Sequence, residues 1–164
     1  MANDEWCTPS WLIESVREFY DGAIDLDPAT CAPAQEMVRA KVYYYYYNGQ
    51  TTPWFGNVWC NPPYSRGVIA EFADHAIAEA SRTSQILFLT NACAGASWWQ
   101  RLLLNADSVL FFDKRIAFID PNGEPMRGNN HGQSLFYFGK YKENFKTRFE
   151  KFGVVMNRQK GSDF

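Results

Sequence analysis

The stretch VWCNPPYSR, residues 58–66, runs from an apolar segment directly into two consecutive prolines and a tyrosine. Proline cannot donate to a sheet ladder or continue a helix, so the strand predicted over residues 57–60 has to end at Asn61. A helical pattern follows at residues 67–81, where apolar side chains recur on one face. A strand, a rigid corner and a helix in this order predict one unit of an α/β sheet.

Strand and helix patterns alternate on both sides of this unit. Further helices are predicted at residues 9–21, 34–40, 97–104 and 141–152. Further strands are predicted at residues 23–28, 42–49, 85–90, 108–112, 115–119 and 133–138. We therefore expect one α/β domain over residues 1–164, with a mostly parallel, reduced sheet, helices on both faces and antiparallel late strands.

The composition is that of a globular protein of a reducing compartment. With 46% hydrophobic and 21% charged residues, the chain is neither disordered nor fibrous. The four cysteines are scattered without a C-x-x-C pair, and only two histidines accompany them, so no metal site is expected. The sequence shows no signal peptide and no membrane-spanning apolar run, which predicts a cytoplasmic protein without a membrane partner.

The charge is segregated along the chain. A net charge of −2 and a pI near 5.7 argue against binding nucleic acid by bulk charge alone. Residues 1–36, however, hold eight acids and one base, whereas residues 140–160 hold seven bases and two acids. The basic segment is either a surface that faces phosphates or a solvated helix, and the sequence leaves both readings open.

The corner at residues 61–64 is rich in hydrogen-bond acceptors. Pro62 and Pro63 supply carbonyls but no N–H groups, and the side chain of Asn61 adds another acceptor oxygen. Such a corner suits an NH2 group, whose two N–H bonds the Asn61 oxygen and the Pro62 carbonyl can accept. Tyr64 is then placed to stack on the ring that carries the amine, worth on the order of 1–3 kcal/mol. The alternative is a rigid loop with Tyr64 as a packing residue.

Several segments together carry a family resemblance. Residues 5–9 (EWCTP), 25–29 (DLDPA) and 59–65 (WCNPPYS) occur in this order, and residues 114–118 and 134–138 extend the pattern. The chain thereby resembles the phage and prophage DNA N-6-adenine methyltransferases of the Dam type. The resemblance implies a Rossmann-like methyltransferase fold, S-adenosylmethionine as cofactor, DNA as partner and no metal. It also implies base flipping and, for a phage-encoded chain, the bacterial host cytoplasm.

The resemblance assigns roles to individual residues. The implied catalytic residues, which hold the flipped adenine, are Asn61, Pro62, Pro63 and Tyr64. The implied cofactor-binding residues are Trp6, Thr8, Pro9, Asp25, Asp27 and Pro28. The candidate DNA contacts are Ser65, Arg66, Arg115 and Arg127, with the loop at residues 121–133. Thr8 has a second interpretation as the N-cap of the first helix.

Two departures from the family pattern concern cofactor binding. Residues 30–33 (TCAP) replace the glycine-rich turn that usually follows the cofactor motif, and no acid lies within residues 42–56 to bind the cofactor ribose. Asp25, Asp27 or Asn48 are the candidate substitutes for that acid.

Three other functions therefore remain open at this point. The same chemistry suits RNA adenine or a glutamine side-chain amide, and a chain without cofactor binding would be a noncatalytic nucleic-acid-binding module.

Overall fold

A seven-stranded sheet organises the described part of the chain. The computed structural model describes residues 6–126 and 128–159, except for the side chain of Tyr46. The strands are β1 Leu26–Thr30, β2 Val42–Tyr45, β3 Asn57–Cys60, β4 Gln85–Asn91, β5 Ser108–Phe112, β6 Gln133–Phe138 and β7 Gly153–Asn157. The helices are α1 Ser10–Phe19, α2 Ala32–Val38, α3 Tyr46–Gly49, α4 Val68–Glu79, α5 Ser97–Asn105 and α6 Lys142–Phe149.

The strands lie side by side in the order β2-β1-β3-β4-β6-β5-β7. The pairs β1–β2, β1–β3 and β3–β4 are parallel, whereas β6 runs antiparallel to both β4 and β5, and β7 antiparallel to β5. From β1 the chain first moves outward to β2 and then returns to the other side of β1 as β3. The strand order thus reverses between β1 and β3, which is where a sheet of this kind opens a crevice at its carboxyl edge.

Each face of the sheet packs against its own helices. On one face, Trp59 and Leu89 pack in a cluster with residues of α1 and α6, such as Leu12 and Phe145. On the other face, Val58 and neighbouring strand residues pack against α4 and α5. Side chains alternate between the faces along a strand, so β3, buried on both sides, reads as a continuous apolar run.

The predicted α/β class is confirmed in this mixed sheet, and the late strands are antiparallel as expected. The predicted bounds of β3, β5 and β6 are reproduced, and β4 extends one residue further, to Asn91. Within residues 6–126 and 128–159, no helix has the length and apolarity needed to cross a bilayer.

The predicted strand over residues 42–49 is wrong in its second half. The strand β2 ends at Tyr45, and α3 follows immediately. Tertiary contacts turn the chain there, because Gly49 lies directly against the Pro28 carbonyl and its own carbonyl accepts a hydrogen bond from Trp54 Nε1 at 2.8 Å. Local β propensity is overridden by this packing.

Two predictions near the carboxyl end also need correction. Residues 115–119 do not form a strand, since pairing occurs only at Ile119, through isolated bridges to Cys7 and Pro125. The last helix ends at Phe149, and a short 3-10 turn then leads into β7, which the sequence did not predict. Aromatic residues continue at helical spacing to Phe152, so the sequence pattern gives no sign that the helix ends at Phe149.

Candidate active site at the carboxyl edge of the sheet

The acceptor-rich corner lies where the strand order reverses. β3 ends at Cys60, which is fully buried, and Asn61 follows at the carboxyl edge beside the end of β1. Pro62 and Pro63 are buried, while Asn61 and Tyr64 are half-buried. The prolines anchor the corner in the protein and leave the side chains of Asn61 and Tyr64 partly accessible.

The amide of Asn61 is held on both sides by hydrogen bonds. Its Nδ2 donates to the carbonyl of Trp6 and to Thr8 Oγ1, each at 3.3 Å, and its Oδ1 accepts from the Tyr64 hydroxyl at 2.8 Å. A carbonyl only accepts, so the atom facing Trp6 has to be the nitrogen. The oxygen is therefore directed to the Tyr64 side, where its second lone pair can accept from a ligand.

Tyr64 lies in an aromatic environment beside this amide. Its ring packs edge-on against Phe118, with ring centroids 6.5 Å apart. The centroids of the Phe118 and Trp6 rings are 5.9 Å apart. Burial raises the pKa of the Tyr64 phenol well above its usual range, so the hydroxyl stays protonated and remains a donor to Asn61. The three rings form one wall next to the acceptor oxygen.

Residues 6–8, which we call the N-terminal clamp, contact the Asn61 amide and are themselves bonded to the segment at Ile119. Cys7 exchanges two backbone hydrogen bonds with Ile119, each 2.9 Å long. Thr8 is only 3% exposed, and it is not the helix cap considered from the sequence, because Pro9 occupies the N-cap of α1. The clamp thus joins the Asn61 corner to the segment around Ile119.

Asp27 organises the second half of β1 and the turn that leads from it into α2. The backbone N–H of Ala29 donates to Oδ1 at 3.1 Å, and Gln35 Nε2 donates to Oδ2 at 2.7 Å. Gln35 also donates to Thr30 Oγ1 at 2.8 Å and accepts from the N–H of Ala40 at 3.1 Å. This network holds the turn in shape without the usual glycines. Burial raises the pKa of Asp27 from 3.8 to about 7, against the opposing effect of these hydrogen bonds.

Asp25 lies at the opposite edge of the sheet. It precedes β1, and its carboxylate accepts from Lys41 Nζ and from the backbone N–H of Asn57, each at 2.9 Å. Asn57 begins β3, whereas Asn61 follows its end, so Asp25 and Asn61 are separated by the length of that strand. This placement counts against the cofactor contact predicted for Asp25 and leaves Asp27 as the acid near the crevice.

The predicted DNA contacts are distributed unevenly. Arg66 and Arg115 are exposed and Ser65 is half-buried, all on segments that follow the carboxyl edge. Arg115 also donates to the carbonyl of Asn129 at 3.4 Å, which ties it to the loop before β6. The prediction for Arg127 falls outside the described residues.

The basic segment near the carboxyl terminus lies mostly away from Asn61. Because β6 runs antiparallel to β4, Lys140 and Lys142 emerge at the amino edge of the parallel strands. Lys142 Nζ donates to the carbonyl of Arg158 at 2.6 Å, so Arg158 lies at the same edge. Within residues 140–159, the turn around Lys151 returns towards the end of β5, because Gly153 pairs with Phe112. This geometry counts against a continuous DNA surface formed by that segment.

Comparison with known proteins assigns the family. The family described as DNA N-6-adenine-methyltransferase (Dam) matches residues 1–162. The chain belongs to the DNA N-6-adenine-methyltransferase (Dam) family. It is 29% identical to the DNA N-6-adenine-methyltransferase of Escherichia phage T1 over 161 residues, which cover 87% of this chain and 65% of that protein. The chain thus spans less than two thirds of that relative's length. No solved structure matches it significantly.

For this Dam family member, sequence reasoning missed two residues near the candidate site. Gln35 holds the turn after β1, and Phe118 contacts both Trp6 and Tyr64. Phe118 lies in the segment at residues 114–118 that extended the family resemblance, which was the available signal. Gln35 gave none, because a polar residue in a short helix is usually solvated. Among the described residues, no group of three or more His, Cys, Asp or Glu side chains is arranged to hold a metal.

The raised pKa of Asp27 predicts a pH-dependent stability of this Dam family member. Between about pH 4 and pH 7 the native carboxyl keeps a proton that the unfolded chain has lost, so the stability contribution of Asp27 falls as pH rises and is lost above about pH 7. In Asp27→Asn this component is absent. Urea unfolding at pH 5 and pH 8 should therefore show that the wild type loses more stability over this interval than the variant.

Asp25→Asn is the matched control for this measurement. The backbone N–H of Asn57 and the ammonium of Lys41 hold the pKa of Asp25 below its ordinary value although burial opposes them. Its contribution is therefore lost as pH falls, with the opposite sign to that of Asp27. Equal pH dependence in the wild type and Asp27→Asn would contradict the buried-carboxyl interpretation.

Proposed function

We propose that the protein transfers a methyl group from S-adenosylmethionine to the N6 amino group of a flipped-out adenine in DNA. The observation that carries this proposal is the Asn61 amide, whose oxygen is directed to the Tyr64 side of the corner at the crevice between β1 and β3. Family membership supports the choice of adenine in DNA over other planar amines. A duplex adenine has to leave the stack to reach this corner, so base flipping is part of the proposal.

The amine is held by acceptors of the corner. Asn61 Oδ1 retains a lone pair besides the one used by Tyr64, and the Pro62 carbonyl supplies the second acceptor for the NH2 group. Two accepted hydrogen bonds orient the nitrogen and favour the positive charge that develops on it during transfer. Pro63 keeps the corner rigid, and the Tyr64 ring stacks on the base while its hydroxyl continues to donate to Asn61 Oδ1.

The cofactor is held on the β1 side of the same crevice. Asp27 and Pro28 are the residues of β1 assigned to it, and the clamp residues Trp6 and Thr8, with Pro9, form the facing wall. When bound, S-adenosylmethionine supplies a methyl group activated by a sulfonium sulfur.

Two observations fit the binding of S-adenosylmethionine at this place. Gly49 contacts the Pro28 carbonyl so closely that no side chain fits there, which keeps the second half of β1 in place. Next to Gly49, the buried Gln50 Oε1 has no hydrogen-bond partner among the described residues, so an acceptor is available for a ligand hydroxyl or amine. Gln50 thereby offers a neutral substitute for the missing ribose-binding acid.

DNA contact is assigned to the segments that surround this edge. We place the phosphate contacts on Ser65, Arg66 and Arg115, with Arg127 in the loop that follows. Exposed arginines at the rim fit phosphates better than the bulk charge of the chain does.

The fold and the cellular setting complete the proposal. The order β2-β1-β3-β4, with the reversal between β1 and β3, supports a Rossmann-like methyltransferase sheet to which β5, β6 and β7 add the antiparallel part. We assign residues 1–164 to one catalytic domain. The phage relative supports action in the cytoplasm of a bacterial host.

The decisive experiment supplies labelled S-adenosylmethionine together with unmodified DNA of varied sequence. We expect N6-methyladenine in the DNA and none in matched RNA or in a glutamine-containing peptide. Transfer to RNA or peptide alone would overturn the choice of acceptor. Calorimetry with S-adenosylhomocysteine separates the remaining case, since absence of binding would mean a noncatalytic module.

A further inference from the structure

Asn61 makes hydrogen bonds as a donor as well as an acceptor, although the proposed role needs only its acceptor oxygen. A carboxylate presents two equivalent oxygens, but an amide has one acceptor and one donor end, so its orientation decides whether it can accept from an amine. The Trp6 carbonyl and Thr8 Oγ1 both take hydrogen bonds from Nδ2, at 3.3 Å each. Both contacts come from the N-terminal clamp. Because the Trp6 carbonyl can only accept, its hydrogen bond requires the Asn61 oxygen to point the other way, and Thr8 Oγ1 accepts from the same nitrogen.

We propose that the N-terminal clamp is a positioning element that fixes the orientation of the Asn61 amide and makes the site dependent on an amide at this position. The proposal rests on the proposed function for its catalytic readout. Thr8 acts through Asn61 in this proposal, rather than only through the cofactor contact implied by the family resemblance.

The clamp is itself held firmly enough to act in this way. Thr8 is 3% exposed and Cys7 is 7% exposed, and Cys7 exchanges two backbone hydrogen bonds with Ile119. The ring of Trp6 packs on that of Phe118, which is only 1% exposed. A buried segment held by two backbone hydrogen bonds keeps its carbonyl and hydroxyl in place. The fixed Trp6 carbonyl determines that the nitrogen end of the amide faces the clamp, and Thr8 Oγ1 adds a second acceptor for that nitrogen.

An Asn61→Asp substitution gives the sharpest test. If Asn61 served only as an acceptor, aspartate would replace it well. In the proposed arrangement an oxygen replaces the nitrogen that faces the Trp6 carbonyl, so two acceptors oppose each other and the side chain turns away. We expect the kcat of Asn61→Asp to fall at least about tenfold, because an unsatisfied buried acceptor is costly.

Variants of Thr8 test the clamp from the other side. Thr8→Val keeps the shape but removes the acceptor, and we expect kcat to fall roughly tenfold while the KM for S-adenosylmethionine changes little. Thr8→Ser retains the hydroxyl and should restore kcat. Thr83→Val is the matched control, because the Thr83 hydroxyl donates to the local carbonyl of Ala80 at the opposite edge, and the kcat of this variant should equal that of the wild type.

Side-chain amide signals of Asn61 in a ¹⁵N NMR spectrum provide a readout that does not need turnover. We expect them to shift in Thr8→Val and to return in Thr8→Ser, even if the wild type were inactive on every acceptor. If Thr8→Val raises only the KM for the cofactor and leaves the Asn61 amide signals unchanged, the proposal is overturned. If Thr8→Val does not fold, Asn61→Asp decides, and wild-type kcat in that variant would overturn the proposal equally.

Discussion

Asn61→Ala should abolish methyl transfer, with kcat below roughly one hundredth of the wild-type value, while cofactor affinity stays nearly unchanged. The substitution removes the acceptor that we propose for the amine and leaves the β1 side of the crevice intact. It also releases the Tyr64 hydroxyl and the two acceptors of the N-terminal clamp. Single-turnover transfer to DNA measures the first effect, and calorimetry with S-adenosylhomocysteine measures the second.

Asn105→Ala is the matched control for this variant. Asn105 is exposed at the end of α5, and its amide donates only to the carbonyl of Arg101, one turn earlier in the same helix. We expect wild-type transfer from it. Substantial transfer by Asn61→Ala, or an equal loss in both variants, would remove the role assigned to the corner.

Gly49→Ala should produce the largest loss of stability among single substitutions near the site. A Cβ at this position would lie 1.6 Å from the Pro28 carbonyl oxygen and 3.0 Å from a ring carbon of Phe72. The first neighbour is backbone, so α3 or β1 has to move. Overpacking of this kind costs about 1–3 kcal/mol or more. Since Pro28 belongs to the β1 side of the crevice, cofactor affinity should fall as well.

Urea unfolding and calorimetry on the same samples test both parts of this prediction. Gly95→Ala is the control, because a Cβ at Gly95 meets no heavy atom within 4 Å. The free energy of unfolding of Gly95→Ala should differ from that of the wild type by no more than about 0.5 kcal/mol, as for ordinary surface substitutions. A Gly49→Ala variant as stable as this control would show that the contact between α3 and β1 relaxes freely.

The central strands and the corner were predictable from the sequence because their signals are local. β3 and β6 read as short apolar runs with clear ends, and the double proline after Asn61 marks the carboxyl edge. β7 was not predictable, because Phe149 and Phe152 continue a helical spacing across the change of element. Gly153, which starts β7, lies so close to the Phe111 carbonyl that a Cβ would be 2.0 Å from its oxygen, and this contact is visible only in the fold.

The candidate site shows the same division. Asn61 and Tyr64 stand out because residue type and position coincide in one short motif. Gln35 and the Trp6 carbonyl do not, since their roles arise from contacts with partners in other elements. A backbone carbonyl has no sequence signature at all. Asp25 and Asp27 are two positions apart, and only the strand register shows that they serve opposite edges of the sheet.

The bridge between Cys7 and Ile119 has a consequence for folding. The two residues are far apart along the chain, and closing such a contact costs more conformational entropy than forming a hairpin or a helix. The pairs β1–β2, β1–β3 and β3–β4 join segments that lie much closer along the chain, and they can form before this closure takes place. The orientation of the Asn61 amide would then be among the last native features acquired, so a nearly folded chain would already hold its core and still lack the amide orientation that the proposed transfer needs.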